Sequence, residues 1–168
     1  SNNNVTGTYS FAGGTGNKLF GYKSFMFGSN NYLNDDFSTI FGINNTSTGG
    51  YGFISGGANE ISGTFSFIGG GTQNTITGQD STIMGGTSNV ITGRTSFIGA
   101  AVTGTVSGDY SFIAGGTENN IISNYSFIGG GQNNMVSGTY SFIGGGQNNM
   151  VSGTYASFVA GVSGNFIS

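Results

Sequence analysis

The sequence predicts an all-β protein, a parallel β-solenoid of about eleven coils with 14–15 residues each. Three observations predict it. A Ser followed by an apolar pair and then Gly recurs along the whole chain at near-constant spacing. Each repeat carries two short apolar segments set between glycines. Finally, 35 of the 168 residues are Gly and none is Pro, Cys, Trp or His. Such a chain disfavours helix, because each interior Gly costs about 1 kcal/mol relative to Ala.

The anchors fall at Ser10, Ser24, Ser38, Gly52 (in place of Ser), Ser66, Ser81, Ser96, Ser111, Ser126, Ser141 and Ser157. Their spacing is 14 as far as Ser66 and 15 from there to Ser141; the last step is 16, with Ala156 inserted. The stretch SFIGGGQNNMVSGTY occurs unchanged at 126–140 and 141–155. A fixed period of this kind marks a repeat architecture in which each copy is one structural unit. Residues 1–168 therefore read as one β-roll domain without a linker. Coils stacked at the interstrand spacing give a rod roughly 50 Å long.

The first segment of each coil is Phe-Ile in most copies: Phe67-Ile68, Phe97-Ile98, Phe112-Ile113, Phe127-Ile128 and Phe142-Ile143. The second reads Asn-x-apolar-x-Gly, with period-2 alternation that argues for a strand. Asn74, Asn89, Asn119, Asn134 and Asn149 recur ahead of it. Two readings of this Asn stand side by side: a ladder of amides bonded from coil to coil, or a turn residue that tolerates left-handed backbone. Glycines suit the corners, where positive φ is needed.

Consecutive apolar residues on a strand project to opposite faces. The Phe-Ile segment should therefore be buried on both sides, and a thin roll has only one interior. About eleven stacked apolar side chains would remain outside, a patch that predicts a homo-oligomer.

Composition excludes several functions. Without His or Cys there is no zinc site of the usual kind, no thiol nucleophile and no Ser-His-Asp triad. Lys18, Lys23 and Arg94 are the only basic residues, too few and too scattered to track phosphates. No apolar run approaches the roughly 20 residues of a membrane span, and no signal-peptide pattern opens the chain. No glycine run is followed by the Lys-Ser or Lys-Thr of a P-loop. Catalytic, cofactor-binding and metal sites are all expected to be absent.

At this point a resemblance enters. Ser24-Phe25-Met26-Phe27-Gly28 and Ser38-Thr39-Ile40-Phe41-Gly42 are similar, position by position, to the YadA-like head repeats of trimeric autotransporter adhesins. The same repeat type is seen in phage and giant-virus fibre proteins. That resemblance implies a left-handed β-roll and a homotrimer, with anchor and stalk outside this segment. It also implies a non-enzymatic adhesive or fibre role on a cell or virion surface, with a host protein or glycan as partner.

The irregular coils suggest a ligand-contact loop at Tyr32, Asp35 and Asp36, against the plainer reading of variation between coils. Two adjacent carboxylates fall far short of a calcium loop, which needs six or more oxygens. The coil Ala100-Ala101-Val102-Thr103-Gly104-Thr105 breaks the Asn column, as a packing adjustment or a contact site. Asn4, Asn44, Asn45 and Asn124 open glycosylation triplets, a pattern common by chance in such a chain.

An alternative function is ice binding, because Thr-x-Thr ladders on β-solenoids occur in antifreeze proteins. Thr75-Ile76-Thr77 is a good rung, but Val90-Ile91-Thr92, Thr105-Val106-Ser107 and Met135-Val136-Ser137 vary it. An enzyme on a β-helix is a third reading, weakened because the six acids are spread over different coils.

Overall fold

In the computed structural model, which describes residues 2–153, 155 and 157–168, two parallel sheets face one another along the whole chain. One has 11 strands, running from Phe11–Thr15 to Phe158–Val159, and contains the Phe-Ile segments. The other has 12 strands, from Asn4–Val5 to Phe166–Ile167, and contains the Asn-x-apolar segments. Every strand pairs with its counterpart one coil away, never with its neighbour in sequence. The predicted β-solenoid is what forms, and all the assigned strands are short. Ala156, the inserted residue, lies outside the described residues.

The register is that of the sequence repeat. Phe127 lies over Phe112 and under Phe142, and Met135 lies between Asn120 and Met150. From each sheet one column of aliphatic side chains points inward. Ile68, Ile98, Ile113, Ile128 and Ile143 form the column of the Phe sheet, facing Ile76, Ile91, Val106, Ile121 and Val136 of the Asn sheet; all are fully buried. This thin core comes from one copy of the chain.

The recurring Asn is a ladder. Asn134 donates from Nδ2 to the carbonyls of Gly130 (3.0 Å) and Gly146 (3.0 Å) and to Oδ1 of Asn119 (3.1 Å). Its own Oδ1 accepts the backbone N–H and the side-chain amide of Asn149. One buried amide thus satisfies the corner carbonyls of two coils. The anchor Ser does the same at the opposite corner: Ser126 Oγ lies 3.0 Å from Asn124 O, 3.1 Å from Gly138 O and accepts from Ser141 N. At Gly104 the ladder skips a rung. Its N–H still donates to Asn89 Oδ1 (2.8 Å), and Ala101, buried in place of the usual Gly, fills the freed space.

The tight corners are not made by glycine alone. In the coils from Ser10 to Ser141 the residue before the anchor Ser, and from Asn17 on the residue before the Asn, adopt left-handed backbone, as at Tyr140 (φ 57°) and Asn133 (φ 53°). Their N–H groups point back to the preceding coil, Asn133 N to Thr117 O and Tyr140 N to Asn124 O, whereas strand N–H groups point forward. A left-handed non-Gly residue costs about 1–2 kcal/mol. At the Ser corner that cost is offset by stacking, with Tyr110, Tyr125 and Tyr140 nearly parallel at 5.1 and 4.9 Å between ring centroids.

The expectation that the Phe strand must be covered on both faces needs correction. Phe67, Phe97, Phe112, Phe127 and Phe142 point outward, yet each is half-buried within its own chain. Phe97, Phe112, Phe127 and Phe142 stack face to face at 4.6–5.3 Å. Their rings also lie down on the next outward column: a Cβ placed on Gly129 or Gly144 would sit 3.3 Å from the ring of Phe127 or Phe142. A small residue there, Gly in most of these coils and Ala114 beside Phe112, serves as a floor for the ring. Most of this face therefore requires no partner to hide it.

The amide ladder yields a direct test. Asn134→Ala leaves several buried groups unpaired, at about 1–3 kcal/mol each, and should lower the melting temperature by roughly 10 °C or more. Asn133→Ala, at an exposed corner, should cost no more than about 1 kcal/mol. Thermal unfolding followed by circular dichroism distinguishes the two.

Candidate functional site

With the interior closed by Ile, Val, Asn and Ser, function must reside on the outer faces. The Asn sheet presents two outward columns. From the coil of Thr48 onward the second is made by the residue just before the inward glycine, or before Ser123 in one coil: Thr48, Ser62, Thr77, Thr92, Ser107, then Ile122, Ser137 and Ser152. Backbone bonds hold this column in register, Ser62 N to Ile76 O (2.9 Å), Thr77 N to Ile91 O (2.9 Å) and Thr92 N to Val106 O (2.9 Å). From Thr48 to Ser152 all but Ile122 carry a hydroxyl, whereas Phe20 and Asn34 hold the same place in earlier coils. The first column runs Thr46, Glu60, Thr75, Val90, Thr105, Asn120, Met135 and Met150 in direct pairing.

Beyond Glu60 these two columns contain no charged residue. Hydroxyls are spaced at about 4.7–4.9 Å along the rod, and neighbours two residues apart in a strand are about 6.6 Å apart across it. Such an array can hold a layer of water in a fixed lattice: each hydroxyl donates and accepts, while the Thr methyl groups exclude disordered water between them. The Thr-x-Thr rungs stand out separately in the sequence, but the longer signal is the hydroxyl that precedes the inward glycine in most coils from Thr48 onward.

Apart from Lys18 and Glu60 on this sheet and Asp35 within its coil, the charged side chains lie at the corners. Arg94 pairs with Asp109 one coil on, at 3.2 Å, with both side chains at the edge of the Asn sheet. The Arg94 backbone N–H on its carboxylate is the main reason Asp109 titrates below its ordinary value, reinforced by the guanidinium. The six carboxylates sit on separate coils or corners, apart from the neighbours Asp35 and Asp36. Among the described residues no three His, Cys, Asp or Glu side chains come together. A depression of about 400 Å³, lined by Phe158, Val159, Phe166 and Ile167 among others, is the uncovered end of the core columns at the last coil.

The loop proposed from Tyr32, Asp35 and Asp36 is not brought together as one surface. Tyr32 lies on the outer face of the Asn sheet, half-buried and paired between Lys18 and Thr46. Asp36 is exposed, and its carboxylate caps Tyr22 N at 2.8 Å. Asp35 turns inward, to the place that glycine occupies in most coils, and is 9% exposed. There it accepts a short hydrogen bond from Ser47, which replaces an aliphatic core residue, and its Oδ1 has no partner. These replacements cluster where Gly52 stands in for the anchor Ser, so the coil is polar at its centre.

Comparison with known proteins matches residues 61–164 to the family described as the grass antifreeze beta roll. No curated protein matches the chain. The family match overturns the resemblance to YadA-like adhesin heads, and with it the adhesive or fibre function and the host-surface partner. The reason is visible in the coils. The segments carrying that resemblance, Ser24–Gly28 and Ser38–Gly42, belong to the 14-residue coils outside the match, whereas residues 61–164 hold the 15-residue coils. Among the described residues no helix is long and apolar enough to cross a membrane.

Asp35 makes stability depend on pH. Burial raises its pKa above the ordinary value of 3.8, against the lowering effect of hydrogen bonds from Ser38 and Ser47, while Asp36 raises it further. The folded protein therefore holds this proton more tightly than the unfolded chain. Stability from this group is full below about pH 3.8 and is lost as pH rises through the raised folded value. Melting curves of wild type and Asp35→Asn should accordingly diverge from about pH 4 to pH 7, the wild type losing stability relative to the variant.

Proposed function

The chain belongs to the grass antifreeze beta-roll family, and from that premise we propose that it binds ice through the outer face of the Asn sheet. The observation that carries this reading is a coincidence of positions. The residues matched to the family, 61–164, are those in which both outward columns of this sheet run free of charged side chains, Lys18 and Glu60 standing in the coils before them.

The mechanism is adsorption without reaction. Each hydroxyl contributes little against water, whose hydrogen bonds it merely exchanges. Many such groups held in one rigid array bind a lattice far better, because the ordering cost was met when the protein folded. The ladder of buried Asn and Ser supplies that rigidity from directly beneath the face. A growing ice surface with such a rod fixed on it must curve between the bound molecules, and its growth stops. We read the rod as non-enzymatic and as acting in the extracellular space, where ice first forms.

Nanolitre osmometry and ice-recrystallisation assays test the reading. The wild-type protein should show thermal hysteresis and keep ice grains small. Thr77→Lys combined with Thr92→Lys should abolish both effects with the fold intact, because two long cations break the array at its centre. Ile122→Thr, which completes the column, should raise hysteresis. Unaltered ice growth with the folded wild-type protein would sink the proposal.

A further inference from the structure

The Ser corner carries a column of tyrosines that the ice-binding reading does not use. Tyr110, Tyr125 and Tyr140 each stand just before an anchor Ser, 15 residues apart. They stack on one another at 5.1 and 4.9 Å between ring centroids, with planes within 4° and 9° of parallel. Tyr155 continues the column at 6.4 Å. All four are open to solvent: Tyr110, Tyr125 and Tyr140 are 53%, 48% and 53% exposed, and Tyr155 is 75% exposed. Stacking by itself needs only a ring, and Phe37 and Phe65 supply one at the same corner position of earlier coils. The later coils add an accessible phenol at every rung.

We propose that this column is an oxidative cross-linking site, at which a haem peroxidase with hydrogen peroxide joins Tyr125 ring to ring with Tyr140 or Tyr110. Each of the two rings gives up one electron and its phenolic proton. The two electrons and two protons reduce one peroxide to two waters at the peroxidase. The phenoxyl radicals left behind form a carbon–carbon bond between the ring positions beside their oxygens. The hydrogens on those two carbons then pass to the oxygens, which restores both phenols and leaves the chain lighter by two hydrogens.

Register favours a bond within one chain. Near-parallel rings on equivalent residues set each reacting carbon about one coil spacing from its counterpart. The backbone holds them there, since Tyr125 N donates to Asp109 O (3.0 Å) and Tyr140 N to Asn124 O (3.2 Å). Two radicals so placed react as an intramolecular pair, at an effective concentration that a second chain does not reach. With about half of each ring in solvent, the side chains can swing from face-to-face stacking to the edge-on approach that the new bond needs. Tyr51 provides the contrast: it stacks between Phe37 and Phe65, at 5.1 and 4.6 Å, with no phenol beside it in the stack. A link from Tyr125 to Tyr140 closes a loop of 15 residues in a chain without Cys, and so constrains the unfolded state as a disulfide would. It lies on the corner, off both outward columns of the Asn sheet, and does not depend on the ice-binding reading.

Treating the dilute, folded protein with a haem peroxidase and hydrogen peroxide tests the site. Dityrosine fluorescence should appear in the monomer, intact mass should fall by two hydrogens per link, and fragment mapping should join Tyr125 to Tyr140 or Tyr110. The linked monomer should melt about 5 °C or more above the untreated protein. Tyr125→Phe combined with Tyr140→Phe keeps the stacked rings and the circular dichroism spectrum, and should cut the monomer's dityrosine severalfold. Tyr51→Phe should leave it unchanged. Dityrosine found only between chains, a yield indifferent to the double substitution, or hydroxylated tyrosines without coupling would overturn the proposal. Thermal hysteresis of the linked monomer keeps the two readings apart, since ice binding should persist whether or not the tyrosines are joined.

Discussion

Like stacked on like, one coil apart, is the constraint from which everything else in this molecule follows. A two-sheet roll this thin has room for one aliphatic column per sheet and no depth beyond that. The corners must therefore be closed by side chains that bury polar backbone without water. The Asn amide does this by sharing its two N–H groups among the corner carbonyls of two coils and the amide oxygen of the coil before, as at Asn134, and the anchor Ser does it at the other corner. A buried polar network is stabilising only when every member is satisfied. That requirement explains why the repeat is so strict at these two positions and so loose between them.

Where a rung departs from the rule, the neighbouring residues absorb the change. Gly104 omits the Asn and Ala101 fills its space. Gly52 omits the anchor hydroxyl, and a cluster of Asp35 and Ser47 forms beside it. Where Thr39 and Thr82 replace the outward Phe, Phe41 and Met84 supply a large apolar group two residues later. The last of these keeps an apolar side chain on the outer face of every coil.

Rigidity links the interior to the face above it. The hydroxyl column lies one residue from the inward Ile and Val column and one residue from the close-packed glycine. A Cβ added at Gly93 or Gly138 would collide with the carbonyl of Gly108 or Gly153 on the next coil. Coils that approach so closely cannot slide or tilt individually. The spacing of the outer hydroxyls is therefore set by the backbone ladder, and binding to a lattice needs no reordering of the protein.

The sequence by itself determined the coil number, the two sheets, the register and the inward columns, because a fixed period with alternating polarity allows one stacking. That Phe127 and Ile128 face opposite ways was legible from adjacency alone, though not which of them is inward; the run of amides was legible too, although ladder and turn could not be told apart at Asn134. Tertiary structure decided how far Phe127 is hidden, because a ring lying on Gly129 and stacked on its neighbours is covered by contacts that no linear pattern encodes. It also decided that Asp35 faces the interior rather than a loop, since one polar residue changes its surroundings only when Ser47 and Gly52 of the next coil make room. The family was misread from the 14-residue coils, whose Ser-apolar-apolar-apolar-Gly pattern dominates the eye. The hydroxyl face of the 15-residue coils emerged only once stacking had aligned single Thr and Ser residues, 15 positions apart, into a continuous column.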